Sequence, residues 1–265
     1  MSDDPERWLP HSPMTDPGDK ASRFDGLPAG IDSLCRAIQG VLVHSDWMAA
    51  YGLPEPGPSA RETLPLSQRL LLIAGADSRP LAIARPSGTR SVGTCRDYAL
   101  MLCAMLRHRH IPARVRCGFA AYFDRGRWED HWICEYWRPA EHRWCRVDAQ
   151  LDEILRQRLA IEFDATDVPP DMFMPADDAW RLCRSSHGDP ALFGHGTACG
   201  LWFVRVNVVR DHHAINNLET SAWDSWRQAR GPHRLVDDTE ARETDLLASH
   251  LEVPAKVGIA PPWRA

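Results

Sequence analysis

The segment Cys95 to His108, CRDYALMLCAMLRH, constrains this chain more than any other. Its apolar residues fall on every side of a 3.6-residue period, so a helix here has no face to give to water and must be wrapped by other elements. Its start is well signed, because Thr94 and Asp97 stand three residues apart as a capping box. Ile111-Pro112 ends it, since a residue before proline is pushed out of the helical region. The period then changes. Ala113, Val115, Cys117, Phe119, Ala121 and Phe123 alternate with Arg114, Arg116 and Gly118, the two-residue repeat of a strand. Asp124-Arg125-Gly126 turns the chain into WEDHWICEYW, a second strand rich in aromatics. Arg138-Pro139-Ala140-Glu141 turns it again into a third, RWCRVD. A buried helix followed by an antiparallel meander predicts an α+β fold.

Elsewhere the pattern is weaker. Leu34, Cys35, Ile38, Val41 and Leu42 fall at helical spacing and predict a helix from Ile31 to Ala50, closed by Gly52. A second helix is expected over Leu66 to Ala74, followed by a loop up to Gly93, and another helix over 175–184. The stretch GLWFVRVNVVRDHHAINN fits both periods and stays open between strand and helix. Within it Asn207, Arg210 and Asp211 read either as a polar cluster near a cleft or as helix capping. Residues 1–28, proline-rich and acidic with little periodicity, are expected to form a mobile arm. Residues 29–228 then make a single domain, and 229–265 a loosely attached tail.

The formal net charge of -5 gives no reason to expect nucleic acid as a partner. No run of about 18 apolar residues occurs, so no membrane span is expected. The start MSDDPERW lacks the basic and apolar regions of a secretory signal, which makes a cytoplasmic protein the expectation. None of the 8 cysteines is paired at C-x-x-C spacing, and most sit in apolar runs. They read as reduced, buried thiols, with no metal and no cofactor expected.

Cys95 departs from that pattern. It falls in the first turn of the buried helix, where unpaired N–H groups and the macrodipole favour the thiolate, the nucleophilic form. Arg96 adds positive charge beside it. A nucleophilic thiol needs a base, and His131 is a polar ring inside an otherwise aromatic and apolar strand. If 138–141 form the hairpin loop, Trp137 faces His142 and His131 faces Asp148. Cysteine, histidine and aspartate in that order are the groups of nucleophilic acyl transfer with an oriented base.

The segments GTCRDYALMLCAMLRHRHIPARVRCGF, EDHWICEYW and RWCRVDAQLDE together resemble the transglutaminase-like superfamily over residues 90–153. The resemblance implies a papain-like α+β core with Cys95 as nucleophile, His131 as general base and acid, and Asp148 as its orienter. It departs from the family where Asp148 is followed by Ala149-Gln150 in place of Pro-Thr. The upstream side chain that helps the oxyanion hole in many members has only Trp47 and Gln68 as candidates. On this reading the partner is a small-molecule or peptidyl acyl substrate, and the acyl group passes to water or to an amine. Trp132, Arg96 and Arg116 are the candidate substrate contacts; Arg114 and Arg116 read otherwise as a solvated strand face. A non-catalytic binding module on the same fold is the alternative.

Overall fold

The computed structural model describes residues 4–57, 63–219 and 235–249. The chain divides into two compact units, Met1–Val115 with Ile133–Val168 and Arg116–Trp132 with Pro169–Ala265. The fold is α+β.

In the first unit, α1 (Ile31–Gln39) is followed by β1 (Leu42–His44), α2 (Leu66–Ala76), β2 (Ser91–Gly93) and α3 (Cys95–His108). The helix expected to run to Ala50 stops at Gln39. Gly40 caps it, and Leu42 to His44 instead pair in parallel with Ser91 to Gly93. Every residue of α3 from Arg96 to Arg107 is buried, as a helix apolar on all sides demands, and α1 and α2 pack against it.

β3 (Ala113–Ala120) and β4 (Trp128–Arg138) each run from one unit into the other along the chain. They belong to a six-stranded sheet with β5 (Arg143–Val147), β6 (Phe173–Pro175), β7 (Phe193–His195) and β8 (Ala198–Cys199), of hydrogen-bonded order β6-β3-β4-β7-β8 with β5 also on β4. β4 and β5 are antiparallel, with Arg138 opposite Arg143 and Cys134 opposite Val147. The loop between them has the expected length but sits one residue later, because His142 takes up the left-handed conformation at φ 49 and closes the turn after Pro139–Glu141. Val147 opposite Cys134 is the last pair, and Asp148 follows it; in this register the position opposite Asp148 is that of Ile133, not His131. The shift is by an even number of positions, so the paired side chains of β4 and β5 keep their expected faces.

The described part of the N-terminal segment, residues 4–28, is packed and is not the expected mobile arm. Trp8 is buried edge-on to Trp144, with ring centroids 5.0 Å apart, and the Arg114 guanidinium lies over both rings at 4.8 and 4.0 Å. Thr15 and Phe24 are buried, and Arg107 donates from Nη1 to the Thr15 hydroxyl at 3.1 Å. α4 (Glu153–Leu159) completes the unit, capped by the Asp152 carboxylate, which accepts from the Leu155 N–H at 3.0 Å.

The second unit holds β6 (Phe173–Pro175), α5 (Ala176–Arg184), β7 (Phe193–His195), β8 (Ala198–Cys199), α6 (Leu201–Ile215) and α7 (Asp238–Ser249). The segment that fitted both periods is α6. Phe203 to Asp211 are all buried, and a helix covered nearly all round shows no single period. α7 corrects the expected loose tail, since Ala241, Leu247 and Ala248 join α5 and α6 in the unit's core; 229–234 and 250–265 lie outside the described residues. Gly118 is required where β3 meets β6, because a Cβ there would lie 2.3 Å from the Met174 carbonyl oxygen.

Candidate active site

Cys95 is the first residue of α3, and it alone among residues 93–107 keeps partial access to solvent. Its surroundings are rigidly built. Asp97 accepts from the Thr94 N–H on Oδ2 at 2.8 Å and from Arg69 Nε and Nη2 on Oδ1 at 3.2 and 3.0 Å. Arg69 also donates to the Val92 carbonyl at 2.7 Å, tying α2 to the strand that enters α3. Asp97 comes so close to the chain that Gly93 has no room for a side chain: a Cβ there would sit 2.9 Å from Asp97 Oδ2. Six of the eight thiols are buried, and burial pushes those of Cys35, Cys134 and Cys183 up, so these are the inert thiols expected. Cys95 and Cys199 are the two with access.

Asp148 directly follows β5 in the same unit and is 2% exposed. Its backbone N–H donates to the Ala165 carbonyl at 2.9 Å, and its Oδ1 accepts from the Gln150 N–H at 2.9 Å. The departure Ala149-Gln150 thus forms a local turn on the aspartate. Gln39 at the end of α1 donates to the Ala149 carbonyl at 3.1 Å and holds that turn.

His131 lies on β4 in the second unit, 2% exposed. The rings of Phe123 and Tyr122 stand edge-on to the imidazole at centroid distances of 4.8 and 6.0 Å. Its neighbour Asp130 is anchored to α6, where Asn207 Nδ2 donates to Oδ1 at 2.7 Å and Arg210 Nη1 lies 3.5 Å from Oδ2. The polar cluster on α6 is buried: Asn207 and Arg210 pin the strand residue next to the histidine, while Asp211 holds Arg116. Burial pushes the Asp130 carboxyl up.

The three candidate substrate contacts are all buried: Trp132, Arg96 and Arg116 are 1%, 2% and 6% exposed. Arg116 is engaged by Asp211 through Nε at 2.9 Å and Nη2 at 2.7 Å, with Asp177 at 3.2 Å. Arg114 pairs with Glu135 at 2.8 Å. The alternating arginines of β3 are internal ion pairs in place of a solvated face, and the sequence concealed this because their carboxylates and aromatic covers come from distant segments. Among the described residues no group of three or more His, Cys, Asp or Glu is placed to hold a metal ion. None of their helices is long and apolar enough to cross a membrane.

Comparison with solved structures gives a similarity to a chain described as a "Putative Cysteine Protease" from Cytophaga hutchinsonii, at 18% identity and a TM-score of 0.37. The match covers 66% of this chain and 46% of that one. Comparison with curated proteins gives no match. The family model of the transglutaminase-like superfamily matches residues 76–149, a stretch that takes in β2, all of α3 and the strands through Asp148. Residues 76–149 are thus similar to the transglutaminase-like superfamily, a similarity that supports cysteine-based catalysis in general terms, and Cys95, His131 and Asp148 all fall within them.

Proposed function

We propose that the protein carries out cysteine-dependent acyl transfer or hydrolysis at an amide, ester or thioester carbonyl. Cys95 is the nucleophile, His131 the general base and acid, and Asp148 the orienting carboxylate. The observation that carries the reading is the setting of Cys95: a partly accessible thiol at the first position of a capped, otherwise buried helix, inside the matched segment. The helix N-terminus favours the thiolate there. The thiolate attacks the carbonyl carbon, and the Cys95 backbone N–H is one donor to the developing oxyanion. The C–N, C–O or C–S bond then breaks, the leaving group takes a proton from the His131 imidazolium, and a thioester remains on Cys95. Water or an amine, deprotonated by His131, attacks that thioester and regenerates the thiol.

The test is carboxamidomethylation followed cysteine by cysteine by mass spectrometry over a pH series. Cys95 is expected to react fastest, with a midpoint well below the value of about 8.5 of a free thiol. His131→Ala should move that midpoint toward the free-thiol value. If Cys95 reacts no faster than Cys199, the nucleophile assignment is wrong and the fold serves as a binding module.

A further inference from the structure

A cavity of about 670 Å³ opens in the first unit between α1, the Asp148 turn and the start of α4, well within the size range of small-molecule sites. Cys95 is not on its wall, but Asp148 is. Its carbon surface comes from Leu151, Ile154, Ala84 and Ala165, and its polar wall carries three guanidiniums and five carboxylates. Donors and acceptors on that wall are unequally spent. Asp32 is paired with Arg36, and Asp152 accepts from the Leu155 N–H and from the Tyr51 hydroxyl at 2.8 Å. Asp164 accepts from the Thr166 N–H and hydroxyl, each at 2.8 Å, and Glu153 from the Gln157 amide at 2.6 Å. Two guanidiniums are different. Arg90 uses Nε on the Arg85 carbonyl at 3.0 Å, and Arg156 uses Nη2 on the Phe163 carbonyl at 3.1 Å. Among the described residues their remaining N–H groups meet no acceptor, so four of the five donors of each guanidinium are left, in a fork suited to a carboxylate. Arg90 is held in place over the Tyr51 ring, 6.0 Å from its centroid.

We infer that this cavity binds an amino acid or short peptide by its free carboxylate, with Arg90 and Arg156 as the carboxylate-binding pair. The surplus of carboxylates on the wall selects a monoanion over a phosphate, which carries close to two charges at neutral pH. The same surplus has lone pairs for the N–H groups that a peptide brings with it. As the substrate or acceptor class of the acyl chemistry proposed above, the assignment rests on that reading; as a binding site it is measured without turnover.

The experiment uses the full chain with Cys95→Ser, so that nothing is consumed. A randomised library of N-acetylated tripeptides with free C-terminal carboxylates is compared with the same library as C-terminal amides, by saturation-transfer NMR and then calorimetry on the best binders. The carboxylates should bind at least tenfold more tightly than the amides. Arg90→Gln and Arg156→Gln should each remove most of that difference. Equal binding of the two libraries, no binding of either, or displacement by inorganic phosphate as effective as by peptide would overturn the assignment. Alkylation of wild-type Cys95, run in parallel, separates the two failures: a reactive Cys95 with an empty cavity refutes this site alone, and an occupied cavity beside an inert Cys95 refutes the catalytic reading alone.

Discussion

Asp97→Asn is the substitution whose outcome the structure fixes most tightly. The two carboxylate oxygens of Asp97 have separate duties, Oδ1 accepting two N–H groups from Arg69 and Oδ2 accepting the Thr94 N–H at 2.8 Å. An asparagine has one acceptor oxygen, so either orientation of its amide turns an NH₂ group toward a donor. If the amide oxygen stays on Thr94, the Arg69 charge is left buried without its counter-ion; both side chains are about 5% exposed or less. Stranding one member of a buried pair costs about 3–5 kcal/mol. If the oxygen turns to Arg69, the cap is lost at about 1 kcal/mol, and a neutral partner replaces the charge. The expected loss is therefore about 3 kcal/mol, a large share of a total stability of about 5–15 kcal/mol. Urea unfolding measures it. The decisive comparison is Arg69→Met with Asp97→Asn, which strands no charge and should regain at least half of the loss. A single variant that loses less than about 1 kcal/mol, or a double variant no more stable than the single, would refute the account of how the Cys95 turn is held.

Trp8→Ala should cost about 3–5 kcal/mol in urea unfolding and reduce near-UV circular dichroism, because Trp8 is buried against Trp144 and Arg114; a near-neutral result would mean that the N-terminal segment is dispensable. Burial and the neighbouring His212 bring His213 down to about 4. Its folded form holds the neutral ring, so its contribution is complete above the unfolded value near 6.5 and is lost as pH falls from there toward 4, at roughly 3 kcal/mol or less. The buried carboxyls of Asp130 and Asp211 are shifted up and act with the opposite sign, so the test compares His213→Gln with the parent. The variant should lose less stability between pH 7 and 4.5, and an unchanged slope would exclude His213. Asn207→Leu withdraws the amide that donates to Asp130 at 2.7 Å and should cost about 1–3 kcal/mol. It should also shift the pH profile of Cys95 alkylation if His131 is the base, whereas a loss below about 0.5 kcal/mol would show that the anchor is not needed.

The most legible parts of the chain were those whose local signals agreed. α3 begins at Cys95 and ends at His108 as the capping box and Ile111-Pro112 dictated, and α2 begins at Leu66 as expected. α1 was overextended because Val41 and Leu42 continue its apolar spacing. Only the pairing of β1 with β2, some fifty residues away, tells a strand from another helical turn there. The same cause hid the strand arginines. A period of two with charges on alternate positions normally marks one wet face, yet all eight residues of β3 are buried. The wet face was inferred from one strand, while the groups that dry it, Trp8, Glu135 and Asp211, are contributed by other parts of the sequence.

For the candidate site the same division runs between residue identity and residue support. Cys95 was distinguishable because a helix start is a local property, and the structure keeps that thiol accessible while covering the residues after it. Asp148 does not stand directly opposite His131, because His142 accepts a left-handed turn, which moves the loop by one residue without changing its length. Arg69, which holds Asp97 across 28 positions, and Asn207, which holds Asp130 across 77, carry no sequence mark of that duty. Their polarity at buried positions is the mark, visible only once burial is known: a fully buried guanidinium or amide must have a partner, and here each partner lies within two residues of a proposed catalytic group. A polar side chain that must be satisfied in the dry interior is a positional constraint on whatever satisfies it. On that logic the buried residues beside the groups proposed to do chemistry help to fix them, in addition to whatever those groups contact themselves.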